Sequence, residues 1–525
     1  MPYSTKPAAL VNSFWALACL CLPGAGQEET VSPAELARRI DVHVDALGRG
    51  GSATSVEDGE YLRRVMLDLL GRPPGLDETR AFLADADPEK RTRVVDELLG
   101  THGFAHHWAR RFAEVLLGDT RSFRVDVSPE LASDLRERMA AEFVRWLARK
   151  IRDDRPWGET VGEMASALGT TDRRPELAWK LSFYRGGEPT ALFGCAAPQQ
   201  LMGITMTCAR CHDHPFDRWT TQDHYAMAAF VVRQTVTVIP ASKESRVRVE
   251  IGEGTAGEAS WLDFEGRKGP VIPPRLMTTG GVPKPGEGRA AALGRLLTDP
   301  GNPQLSRMMV NRVWSWLMGR GIVHPVDDFS VRNKPLSPKL LEELQRGFDR
   351  NNRSVRFLIQ SICRSEAYRR SSEGAGEMRR EDFSRGLIRP LTTEQLVNSL
   401  QVATRLVPET ALGEARALSV AFSPPLLRPP CEVTPVTVNR WVALYARNND
   451  EVRGWVREGG VLNRIREGEG TLVEKVDAMF LAALSRRASP SERARLAAFL
   501  GVGGEDRFED AYWALLNSHE FLTRH

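Results

Sequence analysis

The run Tyr61-Leu-Arg-Arg-Val-Met-Leu-Asp-Leu-Leu-Gly-Arg-Pro-Pro74 decides the fold class. Its apolar residues recur at helical spacing from Tyr61 to Leu70, which predicts an amphipathic helix. Gly71-Arg72-Pro73-Pro74 then stops it, because glycine frees the backbone and the prolines withhold amide donors. Further helical patterns follow: Asp77, as a cap, through Leu83; Pro88 to Leu99; Phe104 to Leu117; Leu131 to Ile151; and Trp157 to Leu168. Upstream, Ser32-Pro33-Ala34-Glu35 is a capping box with proline at the first helical position, and Leu36, Ile40 and Val44 continue it at helical spacing.

The texture changes after Val232. Thr235-Val-Thr-Val-Ile239 and Val247-Arg-Val-Glu-Ile251 alternate and are rich in β-branched residues, which predicts two strands. Prolines and glycines crowd residues 252–287. Helical signals return at Arg289, with starts at Ser337-Pro338, Thr392 with Gln395, and Ser489 with Glu492. Pro424 to Pro435 reads as a proline-rich loop. The expected fold is therefore mainly α: two helical domains, 33–232 and 288–525, joined by a small β-rich insert at 233–287.

The chain has 525 residues, with 42% hydrophobic and 26% charged, near globular averages. Lys and Arg number 71 against 68 Asp and Glu, so the net charge is +3. That balance argues against a nucleic-acid surface, which needs a concentrated basic stripe. Residues 1–26 read as a signal peptide. Lys6 gives the positive start, Ala8 to Leu22 is apolar but too short to span a bilayer, and Pro23-Gly-Ala-Gly26 supplies small residues for cleavage. The protein is expected to be exported to the periplasm or cell surface, with no integral membrane span once the signal is gone. Of the seven cysteines, Cys19 and Cys21 leave with the signal. Cys195, Cys363 and Cys431 are an odd, scattered set and form no disulfide framework.

The chemically specific feature is Cys208-Ala-Arg-Cys211-His212. Two thiols at this spacing reach the vinyl groups on one edge of a haem, and the next imidazole ligates iron. Covalent haem c attachment takes place outside the cytoplasm, where the signal sends this chain. Two other readings use the same residues. Zinc takes thiolate and imidazole ligands, here Cys208, Cys211, His214 and His224. A redox dithiol is the third, although the thioredoxin-like context is missing.

The Tyr61–Pro74 run, the His107-Trp108 pair and Cys208-Ala-Arg-Cys-His-Asp-His-Pro-Phe-Asp-Arg-Trp219 resemble a planctomycete secreted cytochrome-associated domain, domain of unknown function 1549. Arg307-Met-Met-Val-Asn-Arg-Val-Trp314, Gly319-Arg-Gly-Ile-Val323, Asp327-Asp-Phe329, Ser365-Glu-Ala-Tyr368 and Leu515-Leu-Asn-Ser-His-Glu-Phe-Leu522 resemble its usual partner, domain of unknown function 1553. The resemblance covers nearly all of the mature chain. It implies secretion and a c-type cytochrome connection, with no established activity. This sequence departs from the pattern twice. It has no second Cys-x-x-Cys-His, and Ser330 stands where the family's usual glycine follows Asp327-Asp-Phe329, leading into Val331-Arg-Asn-Lys334.

A haem used for electron transfer commonly has a second axial ligand. His107 is the first candidate on the resemblance, and Met227 and His224 lie a short reach beyond the motif. Asp213 and Asp217 flank the motif as partners for the imidazole or, with Arg218, a propionate; turn capping is the alternative. Asp327-Asp328 reads as a turn or a cation-binding pair. Trp108, Trp219, Trp314 and Trp316 are core residues or a sugar platform. Three functions stay open: electron transfer with an unknown redox partner, an exported enzyme on an unknown substrate, and a haem-free surface or scaffold protein with a structural Cys/His metal site. Whether the chain is an enzyme is left undecided.

Overall fold

The computed structural model describes residues 30–48, 54–118, 129–184, 189–242, 246–261, 267–373, 383–405, 450–504 and 506–524. The expected signal, Cys19, Cys21, Cys431 and the proline-rich loop lie outside them. The fold is mainly helical, with two small antiparallel sheets among the described residues.

Helix starts follow local chemistry. Ser32 accepts from the Glu35 N–H at 3.2 Å at the head of the Pro33–Asp45 helix. Thr392 with Gln395, and Ser489 with Glu492, form reciprocal capping boxes. Asp77 is not a cap. The helix Leu76–Ala84 begins at Gly75, whose N–H donates to Glu78 Oε2 at 2.7 Å. Glu78 reaches one turn back from inside the helix, so it does the work expected of Asp77.

The opening run forms the helix Asp58–Leu70, but with a different surface from the one expected. Its polar side is buried too: Arg63, Arg64 and Asp68 are all enclosed. Buried arginines call for hydrogen-bond acceptors, and here all but Arg63 Nε among the donor atoms of this pair find them. Arg63 donates to the carbonyls of Ala483 and Phe521, and Arg64 to those of Tyr368 and Arg370. This helix is consequently a spine held from several sides.

Two apolar cores meet along it. The first contains Leu62, Val65 and Leu69 with Trp108, Trp179, Leu293 and Trp314. Residues from both predicted helical domains therefore share one core. The second gathers Leu67 and Leu76 with Leu396, Val476, Phe480 and Tyr512. The tryptophans considered as a sugar platform are core residues: Trp108, Trp219, Trp314 and Trp316 are buried. Trp108 and Trp316 pack at 5.7 Å between ring centroids.

In the three-stranded sheet, Arg248–Glu253 is central, between Gln234–Ile239 and the short strand Gly169–Thr170. Val236 pairs with Ile251 and Val238 with Val249. Val249 and Ile251 turn into the first core while alternate residues face outward, which is the period the sequence shows. In the second sheet, Arg389–Pro390 pairs with Thr523–Arg524 and ties the chain's end to the spine region. Among the described residues no helix is long and apolar enough to cross a membrane.

Gly71 shows how tightly the spine ends. It sits at φ +69°, and a Cβ there would lie 2.4 Å from His107 Nδ1. Gly71→Ala is expected to cost about 2–4 kcal/mol, from left-handed strain plus overpacking against a buried ring. A urea titration checks this, and a midpoint equal to that of the unmodified protein contradicts it.

Candidate functional site

The motif occupies a short 3-10 turn, Cys208–Arg210, and the loop after it. It follows the helix Pro189–Met202 and precedes the helix Thr221–Ala228, and it packs on both. The loop is pinned from within. His214 N–H donates to the Trp219 carbonyl at 2.8 Å, and Thr221 N–H donates to Asp213 Oδ1 at 2.8 Å. Thr220 and Asp223 then cap the following helix reciprocally, and Arg275 pairs with Asp223 at 2.7 Å.

Cys208 is half-buried, whereas Cys211 and His212 are exposed, and both thiols are free. His212 Nδ1 lies 2.8 Å from the Asp213 carbonyl oxygen. A carbonyl only accepts, so Nδ1 carries the hydrogen, and Nε2 of the neutral ring presents its lone pair. The orienting group is thus the Asp213 backbone. The Asp213 and Asp217 carboxylates serve backbone amides instead, those of Thr221 for the first and of Arg218 and Val331 for the second.

The other expected ligands lie in different surroundings. Met227 and His224 are buried on the Thr221–Ala228 helix. His224 Nδ1 is 3.8 Å from Cys195 Sγ, and its Nε2 has no hydrogen-bond partner among the described residues. His214 is half-buried, and its Nδ1 accepts from the Phe216 N–H at 3.3 Å. His107 is on the helix His102–Leu117, buried against Gly71, with both ring nitrogens unpartnered. That helix packs on the spine and on Pro129–Arg152, while the motif turn packs on its two flanking helices. Among the described residues, no group of three His, Cys, Asp or Glu is gathered as for a metal ion. Burial holds the His107 pKa well below the usual value, with Arg111 adding to it. Burial, with Arg210 nearby, lowers His224 to about 4.

The sign of the His224 effect is definite. Its folded pKa lies below the unfolded value of roughly 6.5, so the unfolded chain binds more protons between the two. The stability from keeping it neutral is complete above pH ~6.5 and falls as pH drops towards ~4, by on the order of 3 kcal/mol. Urea midpoints measured at falling pH should therefore decline before the carboxylates titrate, and a flat profile down to pH ~4.5 contradicts this.

A second segment completes the site from far along the chain. Phe329 N–H donates to the Gly203 carbonyl at 2.7 Å. Gly203, at φ +64°, makes room, since a Cβ there would lie 2.7 Å from the Phe329 ring. Asn311 holds the carbonyls of Val323 and Val326, each at 3.0 Å. Asp327 pairs with the buried Arg312 at 2.9 Å, and Asp328 accepts from Asn333 at 2.7 Å. The two neighbouring carboxylates thus have separate partners. Burial raises the Asp328 pKa against its hydrogen bonds from Thr205 and Asn333, and Asp217 adds to the rise. Val331 N–H donates to Asp217 at 3.3 Å, and the Arg332 guanidinium lies 3.3 Å above the Phe216 ring.

Residues 50–235 match the family model PSCyt2, described as a protein of unknown function (DUF1549), and residues 289–425 match PSD1, a protein of unknown function (DUF1553). The chain is a PSCyt2–PSD1 tandem. No curated protein and no solved structure matches it. The motif belongs to the PSCyt2 part, and the loop that seats on it belongs to PSD1. A groove of about 460 Å³, walled by Leu70, Leu76, Val402 and Val461, also joins the two parts and takes none of its lining from the motif. What escaped sequence reasoning is that the loop after Asp327-Asp328 seats on the motif and that Cys195 lies against His224, because both contacts join residues far apart in the chain.

Proposed function

We propose that this tandem is an exported protein that carries one covalent c-type haem on Cys208 and Cys211, with His212 as iron ligand, and passes single electrons to a redox partner. The observation that carries the reading is His212: an exposed ring whose Nδ1–H is tied to the Asp213 carbonyl, leaving Nε2 to bind metal. Both thiols are free, and Cys211 is open to solvent, so a bulky planar group is not shut out. Cys208 and Cys211 would hold the porphyrin through thioethers, each S–H adding across a vinyl C=C with no electrons gained or lost. Haem bound in this way supplies reversible one-electron exchange. The chain's own part is to fix the imidazole tautomer and hold the attachment loop through Asp213 and Asp217. The cytochrome element in the PSCyt2 name agrees with this reading.

The test is the pyridine haemochrome spectrum of protein made in a host with haem-attachment machinery. A band at the position of a two-thioether haem is expected, and its absence overturns the proposal.

A further inference from the structure

The helix Pro189–Met202 leads into the motif, and its end is held by donors from the PSD1 half. The last carbonyls of a helix have no partners within it. Here the Gln199 carbonyl accepts from the Gly203 N–H at 3.1 Å, inside the segment. Those of Gln200, Met202 and Gly203 turn instead to residues far along the chain. Their donors are Arg312 Nη1 at 2.7 Å, Gln304 Nε2 at 2.8 Å and the Phe329 N–H at 2.7 Å.

Arg312 does more than satisfy one carbonyl. It stands on the helix Pro303–Met318, 3% exposed, and its other arm, Nη2, donates to Asp327 Oδ1 at 2.9 Å. One guanidinium thus ties the helix before the motif to the loop over it. In that loop Asp328 hydrogen-bonds to Thr205, ahead of Cys208, and the Val331 N–H donates to Asp217, beyond His212. PSD1 therefore grips the attachment segment on both sides, with Arg312 as the joint. Gln200 is fixed in turn: its side chain accepts from Trp179 Nε1 at 2.8 Å and donates to the Leu116 carbonyl at 3.1 Å.

We infer that Arg312 is a positioning residue for the Cys208–His212 site, and that holding this segment is what the PSD1 half contributes to it. A planar guanidinium presents donors in a fixed fork and spans two acceptors, whereas a lysine ammonium is a compact point charge. Contacts that fix the surroundings of a metal ligand tune its basicity and, for haem, the reduction potential. The consequence for haem rests on the haem reading. The hold on the segment does not.

The test is hydrogen exchange, read by mass spectrometry over residues 203–213 of the full-length, haem-free protein. Arg312→Lys is expected to speed exchange there roughly tenfold, the effect of losing one charged hydrogen bond from a local opening equilibrium. Gln304→Ala, a milder loss at the same helix end, should act in the same direction by less, and it decides the matter where Arg312→Lys fails to fold. Asp68→Asn, which weakens the fold from the spine, should leave this segment at the parent's rate. Unchanged exchange in the folded Arg312 variant, or an equal rise in Asp68→Asn, overturns the inference. In haem-loaded protein Arg312→Lys should also shift the reduction potential while Asp68→Asn does not, and an unshifted potential overturns the positioning of the haem site. Protein without a haem band overturns the haem reading alone, and exchange still decides whether PSD1 holds the segment.

Discussion

Asp68→Ala is expected to destabilise the protein by about 3–5 kcal/mol, the range for removing one member of a buried charge set. Asp68 is fully buried on the spine helix. It pairs with Arg524 at 2.6 Å and Arg389 at 2.5 Å, and it accepts from the Tyr368 hydroxyl at 2.8 Å. These partners come from the chain's last strand, from the strand paired with it, and from the segment Ser365-Glu-Ala-Tyr368. Removing the carboxylate leaves the buried Arg524 and the partly buried Arg389 without it, and their remaining acceptors, such as the Leu317 carbonyl for Arg524, only partly compensate. Burial raises the Asp68 pKa, but Arg524 and Arg389 outweigh it, and the net direction is down. Its contribution is therefore present above the unfolded carboxylate value of ~3.9 and is lost as pH falls below it towards the folded pKa. Urea titration at neutral pH measures the loss. Asp68→Asn, which keeps the shape and removes the charge, should lie between. An alanine variant as stable as the original would show that the cluster is not a structural hub.

The hub also marks where sequence reading stops. The boundaries around Asp58–Leu70 are legible because apolar spacing and the Gly71–Pro74 breaker are local signals. The same run hides its main feature: Asp68 in an apolar stretch looks like one residue of a solvated face, and its partners lie some 300 to 456 residues away. The helix Pro189–Met202 escaped notice for a different reason. It is apolar on nearly every side and holds Pro198, so it has no stripe and looks broken, yet burial on all sides stabilises it. The Gly169–Thr170 strand is too short to show alternation and exists through its pairing with Ile251 and Glu250. At the candidate site, the grouping of Cys208, Cys211 and His212 is a reading from spacing alone. The tautomer of His212, the burial of His224 and the PSD1 loop over the motif depend on backbone geometry and contacts that no local pattern encodes.

The second large effect concerns the thiols. Cys208→Ser/Cys211→Ser is expected to abolish covalent haem completely, because no sulfur remains to form a thioether, while folding is retained: Cys211 is exposed and Cys208 only half-buried. Each single variant should keep one thioether and give a haemochrome band shifted from that of the parent. His212→Ala should keep both thioethers and lose the ligand, so haem remains covalently attached while the iron spectrum changes. This separation of attachment from ligation is specific to the assigned roles. A structural zinc site on Cys208, Cys211, His214 and His224 would lose metal in the cysteine variants, keep it in His212→Ala, and never show a porphyrin band.

One determination bears on the central claim more directly than any variant: the intact mass of the mature protein purified from the exported fraction of a host with haem-attachment machinery. The account predicts a polypeptide that begins close after Gly26 and carries the added mass of one haem, which survives denaturation. A mature chain at its bare polypeptide mass, from a host that loads haem onto a control cytochrome, would contradict it.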